Sequence, residues 1–279
     1  DIKETTIRVL HNLSFIEDPT RIYRAIRFEQ RFGFRIARHT QNLIKSTARI
    51  DLFHRLSGKR LFSELILLLS EDEPAKPIAR LAEFDLLRFI HPSLQCDNRT
   101  TAIFDSINDA IAWYRLLFLD KKHDAWKVYF FGFIDQLSEA STIDMCKRLE
   151  IREHLLEEIL TVKKETQELV QGLLRMKNTT PVKIYELLRK HTQEHLLYLM
   201  AKIDREDAKK HISLYLSHLQ DIKLSITGKD IVQLGVKPGP VYTKVMNMTL
   251  DAKIAGIVKS REEEMEFVKE LLKKSGHAN

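Results

Sequence analysis

The chain has 279 residues, enough for two or more small domains, and its 9 glycines and 7 prolines are too few for a sheet built of many hairpins. Two cysteines, Cys96 and Cys146, make neither a disulfide framework nor a cysteine metal site, as expected in a reducing cytoplasm, and no apolar run approaches the roughly 20 residues that cross a bilayer. The net charge of +6 is unevenly placed: residues 1–70 carry 13 Lys and Arg against 7 Asp and Glu, whereas residues 71–279 carry 32 of each sign, so the whole excess lies in the first quarter.

Ten of those 13 early cations are arginines. A guanidinium fork matches phosphates and base edges better than an ammonium does, so this bias points to a polyanionic or nucleotide partner rather than to solubility alone. Helical periodicity then dominates the chain. Asp18-Pro19 is a helix start, with Asp at the cap and Pro in the first turn, and that helix is expected to run to about Phe32 and stop at Gly33. A second start falls at Ser57, followed by Leu61, Leu65, Leu68 and Leu69 at helical spacing, and Glu71-Asp72-Glu73-Pro74 reads as a boundary loop. Helical segments follow, among them 100–119, 125–137, 152–176 and 182–200. Near the end Thr227-Gly228-Lys229-Asp230 caps a short helix ending at Gly235, Lys237-Pro238-Gly239-Pro240 launches another, and a final charged helix covers Arg261–Lys274. No β-type alternation is long enough for a sheet. The expected fold is all-α, an elongated multi-helix array.

The segment Glu17-Asp18-Pro19-Thr20-Arg21-Ile22-Tyr23-Arg24-Ala25-Ile26-Arg27-Phe28 carries the most chemistry. At 100° per residue, Asp18, Arg21 and Arg24 share about a third of the helix circumference, and Arg27 and Arg31 continue along its flank. Neighbouring guanidiniums repel, so an anion or polar ligand relieves their proximity. Adenine and cytosine both present an exocyclic amino donor beside a ring-nitrogen acceptor. A carboxylate can accept from the first while a guanidinium donates to the second, and guanine or uracil mismatches both contacts. Each good base contact discriminates by about 1–3 kcal/mol, and an unsatisfied one adds to the penalty. The plainer reading stays open beside it: Asp18 caps the helix and pairs with Arg21 on a solvated face.

Here the residues resemble a known family. Glu17-Asp18-x-x-Arg21 with Arg24 and Arg27-Phe28 resembles the nucleobase-recognition motif of class II tRNA nucleotidyltransferases and their poly(A) polymerase relatives. Asp1-Ile2 with Ile7-Arg8 is similar to the short motif preceding it. Ser57-Gly58-Lys59-Arg60-Leu61-Phe62-Ser63-Glu64-Leu65 is similar to the motif that buttresses the neck, and Thr227–Asp230 with 234–240 to the tail. The resemblance implies that Asp18 and Arg21 template ATP, with CTP as a second substrate in the CCA-adding case, and that Arg24 and Arg27 touch the same nucleotide. It implies structural support from Glu17, Arg60 and Glu64, with Arg60 and Glu64 paired at i,i+4. It divides the chain into a neck (1–73), a helical body (74–222) and a tail (223–279). Lys237, Gly239 and Lys244, at a helix start whose free N–H groups suit phosphate, are expected to meet the tRNA acceptor and T-arm; an ordinary tight turn is the competing reading.

The family's catalytic head, with a Gly-rich motif and an Asp-x-Asp pair that holds magnesium, has no counterpart in this sequence, and Asp-x-Asp does not occur in it. The chain opens on Asp1, so it is expected to be a portion of a longer enzyme, inactive alone, with no catalytic or metal residue of its own and the head as a partner. The alternatives are a portion of a poly(A) polymerase and a non-catalytic helical RNA-binding module. His191-Thr192-Gln193-Glu194-His195 matches a zinc-peptidase pattern but reads better as a surface stripe beside Leu187, Leu188, Leu196 and Leu199. The aromatic run Trp126, Tyr129, Phe130, Phe131 and Phe133 reads as core rather than as a base-stacking surface.

Overall fold

The computed structural model describes residues 3–50, 56–118, 123–177, 179–234 and 239–274. Among these are fifteen α-helices and two strands of two residues each, so the fold is all-α without a substantial sheet. The chain divides into two compact units: residues 1–171 with 192–204, and residues 172–191 with 205–279.

The first unit opens with strand β1 (Thr6–Ile7), helix α1 (Ser14–Glu17), helix α2 (Thr20–Phe32) and strand β2 (Arg35–Ile36). β1 and β2 pair in parallel, Thr6 opposite Arg35 and Ile7 opposite Ile36. α2 ends where Gly33 takes φ +63°, the left-handed conformation that glycine adopts without strain. Helices α3 (Arg38–Arg49), α4 (Gly58–Leu69) and α5 (Ala75–Glu83) follow. Ile22, Tyr23 and Ile26 of α2 are buried, as are Leu61, Leu65 and Leu68 of α4 and Ile78 and Leu81 of α5; α2 packs on both partners. Burying such a side chain is worth roughly 1.5–3 kcal/mol, and the Tyr23 hydroxyl reaches the Leu86 carbonyl at 3.3 Å.

The rest of this unit is α6 (Asn98–Arg115), α7 (Ala125–Phe133), α8 (Glu139–Arg148), most of α9 (Glu153–Arg175) and α11 (Gln193–Lys202). Tyr129, Phe130, Phe131 and Phe133 of α7 are buried, with Phe104 of α6 edge-on to Tyr129 at 5.2 Å between centroids. The aromatic run is therefore core, and Trp126 packs edge-on to Phe62 at 5.9 Å.

The segment read as one helix over 182–200 is two: α10 (Pro181–Leu188) and α11. The break has a local cause, since Thr192 caps α11 by accepting from the His195 N–H at 3.3 Å. His191 thus lies outside the helix that carries His195, and the i,i+4 arrangement of a zinc pair does not form. His195 is buried instead, 3.0 Å from the Thr166 hydroxyl.

The second unit holds α10, α12 (Glu206–Leu214), a π-helical turn (Tyr215–Leu219), α13 (Gly228–Gln233), α14 (Pro240–Ile254) and α15 (Arg261–Lys274). Ile226, Ile231, Val245, Val268 and Leu272 form a core within it. α13 starts with the expected capping box, Thr227 and Asp230. No helix among the described residues is long and apolar enough to cross a membrane.

Candidate functional site

Of the sequence-predicted residues of 17–31, Glu17, Asp18 and Arg21 meet at the junction of α1, α2 and α4, and Arg27 and Arg31 meet Glu71 beyond the far end of α4. Asp18 sits between α1 and α2 in extended conformation, as the residue before a proline must. α2 itself begins one residue later than expected, at Thr20 with Pro19 at its cap. The Asp18 carboxylate still closes the helix end: Oδ1 accepts from the Thr20 N–H at 3.1 Å and from the Thr20 hydroxyl at 2.6 Å. Its other oxygen, Oδ2, accepts from the Arg60 guanidinium of α4 at 2.8 Å.

Two expected pairs are thus replaced. Arg60 reaches across to Asp18 instead of along its own helix to Glu64, and Arg21 does not pair with Asp18. Arg21 Nη1 donates to the Ser14 hydroxyl at 2.9 Å and the Ser14 carbonyl at 3.2 Å, with Glu17 at 3.4 Å. The cause is geometric. Asp18 already accepts three hydrogen bonds from Thr20 and Arg60, leaving about one of its roughly four lone-pair sites open, and Arg21 turns toward α1. Burial pushes the Asp18 carboxyl up, but the hydrogen bonds from Thr20 and Arg60 outweigh it and hold it below its ordinary value. The site therefore holds a charged acceptor clamped in one orientation, with a partly exposed guanidinium one helical turn on.

Arg24 is exposed and makes no hydrogen bond or ion pair with the described residues. Arg27 is different: its side chain is 11% exposed and faces Glu71 at 3.4 Å, and its Nε is buried without a hydrogen-bond partner. Glu71 also meets Arg31 at 3.4 Å. Glu64 presents a buried Oε2 without a hydrogen-bond partner, and burial raises its carboxyl while Arg27 and Arg24 pull it down. Ser14, Thr20 and Glu71 were missed in the sequence. Thr20 had a local signal two residues from Asp18, whereas Glu71 was legible only as part of a loop.

The frame around the site is built from long-range contacts. Glu29 of α2 is buried and accepts from the Ile36 N–H at 3.0 Å and from Arg80 Nε of α5 at 2.8 Å. Gly58 opens α4 against the end of α8: a Cβ there would lie 2.2 Å from the Arg148 carbonyl oxygen, and the Gly58 N–H donates to Glu150 Oε1 at 2.8 Å.

In the second unit Gly239 caps α14 and Lys244 is exposed on its first turns; Lys237 lies outside the described residues. Among the described residues no three His, Cys, Asp or Glu side chains are placed to hold a metal ion.

A family model described as "Probable RNA and SrmB- binding site of polymerase A" matches residues 33–97. The A-adding tRNA nucleotidyltransferase of Geobacter sulfurreducens is 40% identical over 95% of this chain, and that of Halalkalibacterium halodurans 24% identical over 97%. The fold agrees with the Thermotoga maritima CCA-adding enzyme complexed with tRNA, at TM-score 0.77 and 30% identity over 98% of this chain. The chain is similar to tRNA nucleotidyltransferases along nearly its whole length. Its nucleotidyltransferase relatives are longer: the chain spans 31% of the G. sulfurreducens protein, 60% of the H. halodurans protein and 65% of the T. maritima chain. A CCA-adding enzyme in complex with ATP is likewise similar, at TM-score 0.75 and 29% identity over 99% of this chain.

Proposed function

We propose that this chain is the nucleotide-selecting and tRNA-holding portion of a tRNA nucleotidyltransferase that adds A, or CCA, to tRNA 3′ ends. The observation that carries the proposal is the clamped, ionised Asp18 carboxylate, in a fold that matches a CCA-adding enzyme complexed with tRNA. Thr20 and Arg60 hold the carboxylate so that it can accept from the amino group of adenine or cytosine. Arg21, released from Ser14 and Glu17, donates to the ring nitrogen beside it. Arg24 is free to meet the triphosphate, and Arg27 reaches it only by leaving Glu71; while it stays there it stiffens the site from behind, as Glu17 and Glu64 do from their own sides.

In this reading residues 1–73 select ATP or CTP, 74–222 form the body, and 223–279, with Lys237, Gly239 and Lys244, grip the tRNA acceptor and T-arm region by backbone shape. Catalysis and magnesium belong to a head outside these 279 residues, the reaction takes place in the cytoplasm, and this chain does not catalyse alone. The match to a polymerase A model favours a second reading, a poly(A) polymerase portion with looser RNA choice.

The test is extension of a tRNA lacking its 3′ end. The purified chain with ATP, CTP and magnesium should give no product; appreciable extension removes the division of labour. Continued into a catalytic head, Asp18→Ala should scramble nucleotide choice while changing tRNA affinity by less than about threefold, under 1 kcal/mol. Equal incorporation fidelity in mutant and parent removes the template role.

A further inference from the structure

The C-terminal end of α2 carries a row of aromatic rings that the nucleotide-reading site does not use. Phe28 and Phe32 stack with centroids 5.9 Å apart and planes 27° from parallel, and Phe32 and Phe34 follow at 5.6 Å and 43°. The Arg27 guanidinium covers the Phe28 ring at 4.8 Å. Arg27, Phe28, Phe32 and Phe34 thus form one ladder that leads from the buried edge of the arginine cluster to the surface. At the surface end Phe32 is 56% exposed, and the adjoining Gly33 has open space where a Cβ would stand.

Helix termination explains part of the ladder. The Phe34 N–H donates to the Glu29 carbonyl at 3.0 Å, the bond of a Schellman ending, which normally brings an apolar residue after the glycine against the last turn. That accounts for Phe34 and Phe28. It does not call for an exposed phenyl at Phe32, which could be polar with no loss to the ending. The buried aromatic run of α7 has no such exposed member.

Charge decides what suits this surface. Arg24, Phe28 and Arg31 lie within about 60° on α2, and Arg35 and Arg38 follow within six residues of Phe32. All four arginines are exposed, and Arg24, Arg35 and Arg38 make no ion pair with the described residues. Stacked phenyl rings beside exposed guanidiniums, three of them without an ion pair to the described residues, match a chain of phosphates carrying splayed bases. An apolar protein segment would leave those charges uncompensated. Aromatic rings stack on any base, and the arginines follow the backbone.

We propose that Phe32, supported by Phe28 and Phe34, is a stacking platform for unpaired nucleobases of single-stranded RNA, with Arg35 and Arg38 on the adjoining phosphates. The proposal rests on the RNA-holding reading above and gives it a single-stranded partner site, separate from the backbone grip assigned to the tail. The ladder's position after the Asp18 site on the same helix suits a tRNA 3′ strand, which is single-stranded where it ends.

The experiment measures binding of the chain to a fluorescein-labelled oligoadenylate, to an abasic oligomer of the same length, and to a blunt RNA hairpin. Phe32→Ala should weaken oligoadenylate binding at least about fivefold, the lower range for loss of one base stack, while hairpin binding stays within about twofold. Phe32→Trp should restore affinity, and its added indole emission, relative to the parent's, should be quenched by oligoadenylate but not by the abasic oligomer. Equal oligoadenylate affinity in Phe32→Ala and parent, or unquenched emission at saturation, overturns the platform and leaves the RNA-holding reading intact. Absence of all RNA binding by the parent chain overturns both.

Discussion

Arg60 of α4 donates to Asp18 at 2.8 Å across 42 residues of sequence, and this one bond ties the start of α2 to the helix that buttresses it. Asp18 is mostly shielded and Arg60 is about half exposed, so the pair works partly in solvent. A double-mutant cycle of Asp18→Asn and Arg60→Gln should give a coupling of about 0.5–1 kcal/mol, the range of partly exposed pairs. Urea unfolding measures it. The sign with pH follows from the lowered Asp18 carboxyl: its contribution is complete above the ordinary value of 3.8 and is lost as the pH falls through the lower, folded value. The difference between parent and Asp18→Asn should therefore be flat above that value and shrink below it. A difference that grows on acidification contradicts the assignment.

Gly58→Ala tests the foundation of α4. The added methyl would sit 2.2 Å from the Arg148 carbonyl oxygen, a backbone atom that cannot rotate away. The helix must shift, stretching the bond from the Gly58 N–H to Glu150. The expected cost is about 1–3 kcal/mol, although alanine is the better helix former by about 1 kcal/mol. Equilibrium denaturation decides the sign, and a stabilised variant would show that α4 and α8 separate freely here.

What the sequence made legible was mostly local. Gly33 stopped α2, Thr227 and Asp230 opened α13, and Arg261–Lys274 is a helix over the expected span, because caps act within a turn. The break before Thr192 was overlooked because the apolar spacing runs on through it. The site was legible as a cluster but not as a set of pairs. The resemblance implied Arg60–Glu64 and helix geometry allowed Asp18–Arg21, whereas the fold formed Arg60–Asp18 and Arg27–Glu71, across 42 and 44 residues. No local rule contains the packing of α2 on α4, which decides those partners. Phe32 was hidden for a related reason, since which of fourteen phenyl rings are exposed cannot be read from spacing.

Glu29 makes a harsher test of the same frame. It is 6% exposed and satisfies both the Arg80 guanidinium and the N–H of Ile36 in β2. Glu29→Ala removes the acid, leaving the Ile36 N–H unpaired and Arg80 with Glu83 as its remaining acid, at a cost of about 1–3 kcal/mol. Glu29→Gln, which keeps an acceptor for the N–H, should cost less. Unfolding midpoints of the two variants should therefore differ; equal midpoints would mean that the volume of the side chain, not its hydrogen bonds, matters at this position.

In the second unit the corresponding keystone is Glu264 of α15, which is fully buried. It accepts from the Ser225 and Ile226 N–H groups at 2.8 and 2.9 Å and from Lys253 of α14. Burial pushes its carboxyl up, but Lys253 and the two backbone donors outweigh burial and hold it below the ordinary 4.5. A depressed carboxyl contributes stability that is complete above the unfolded value and lost as the pH falls through the folded one. The α13–α15 core should accordingly loosen on acidification below 4.5, read by hydrogen exchange at Ile226 and Ile231. Glu264→Gln should lose about 1–3 kcal/mol at neutral pH and show a flatter acid profile, because its amide no longer titrates. An acid profile as steep as the parent's would move the titrating group elsewhere, with Asp230, lowered by its bonds to Thr227 and Arg261, the next to replace.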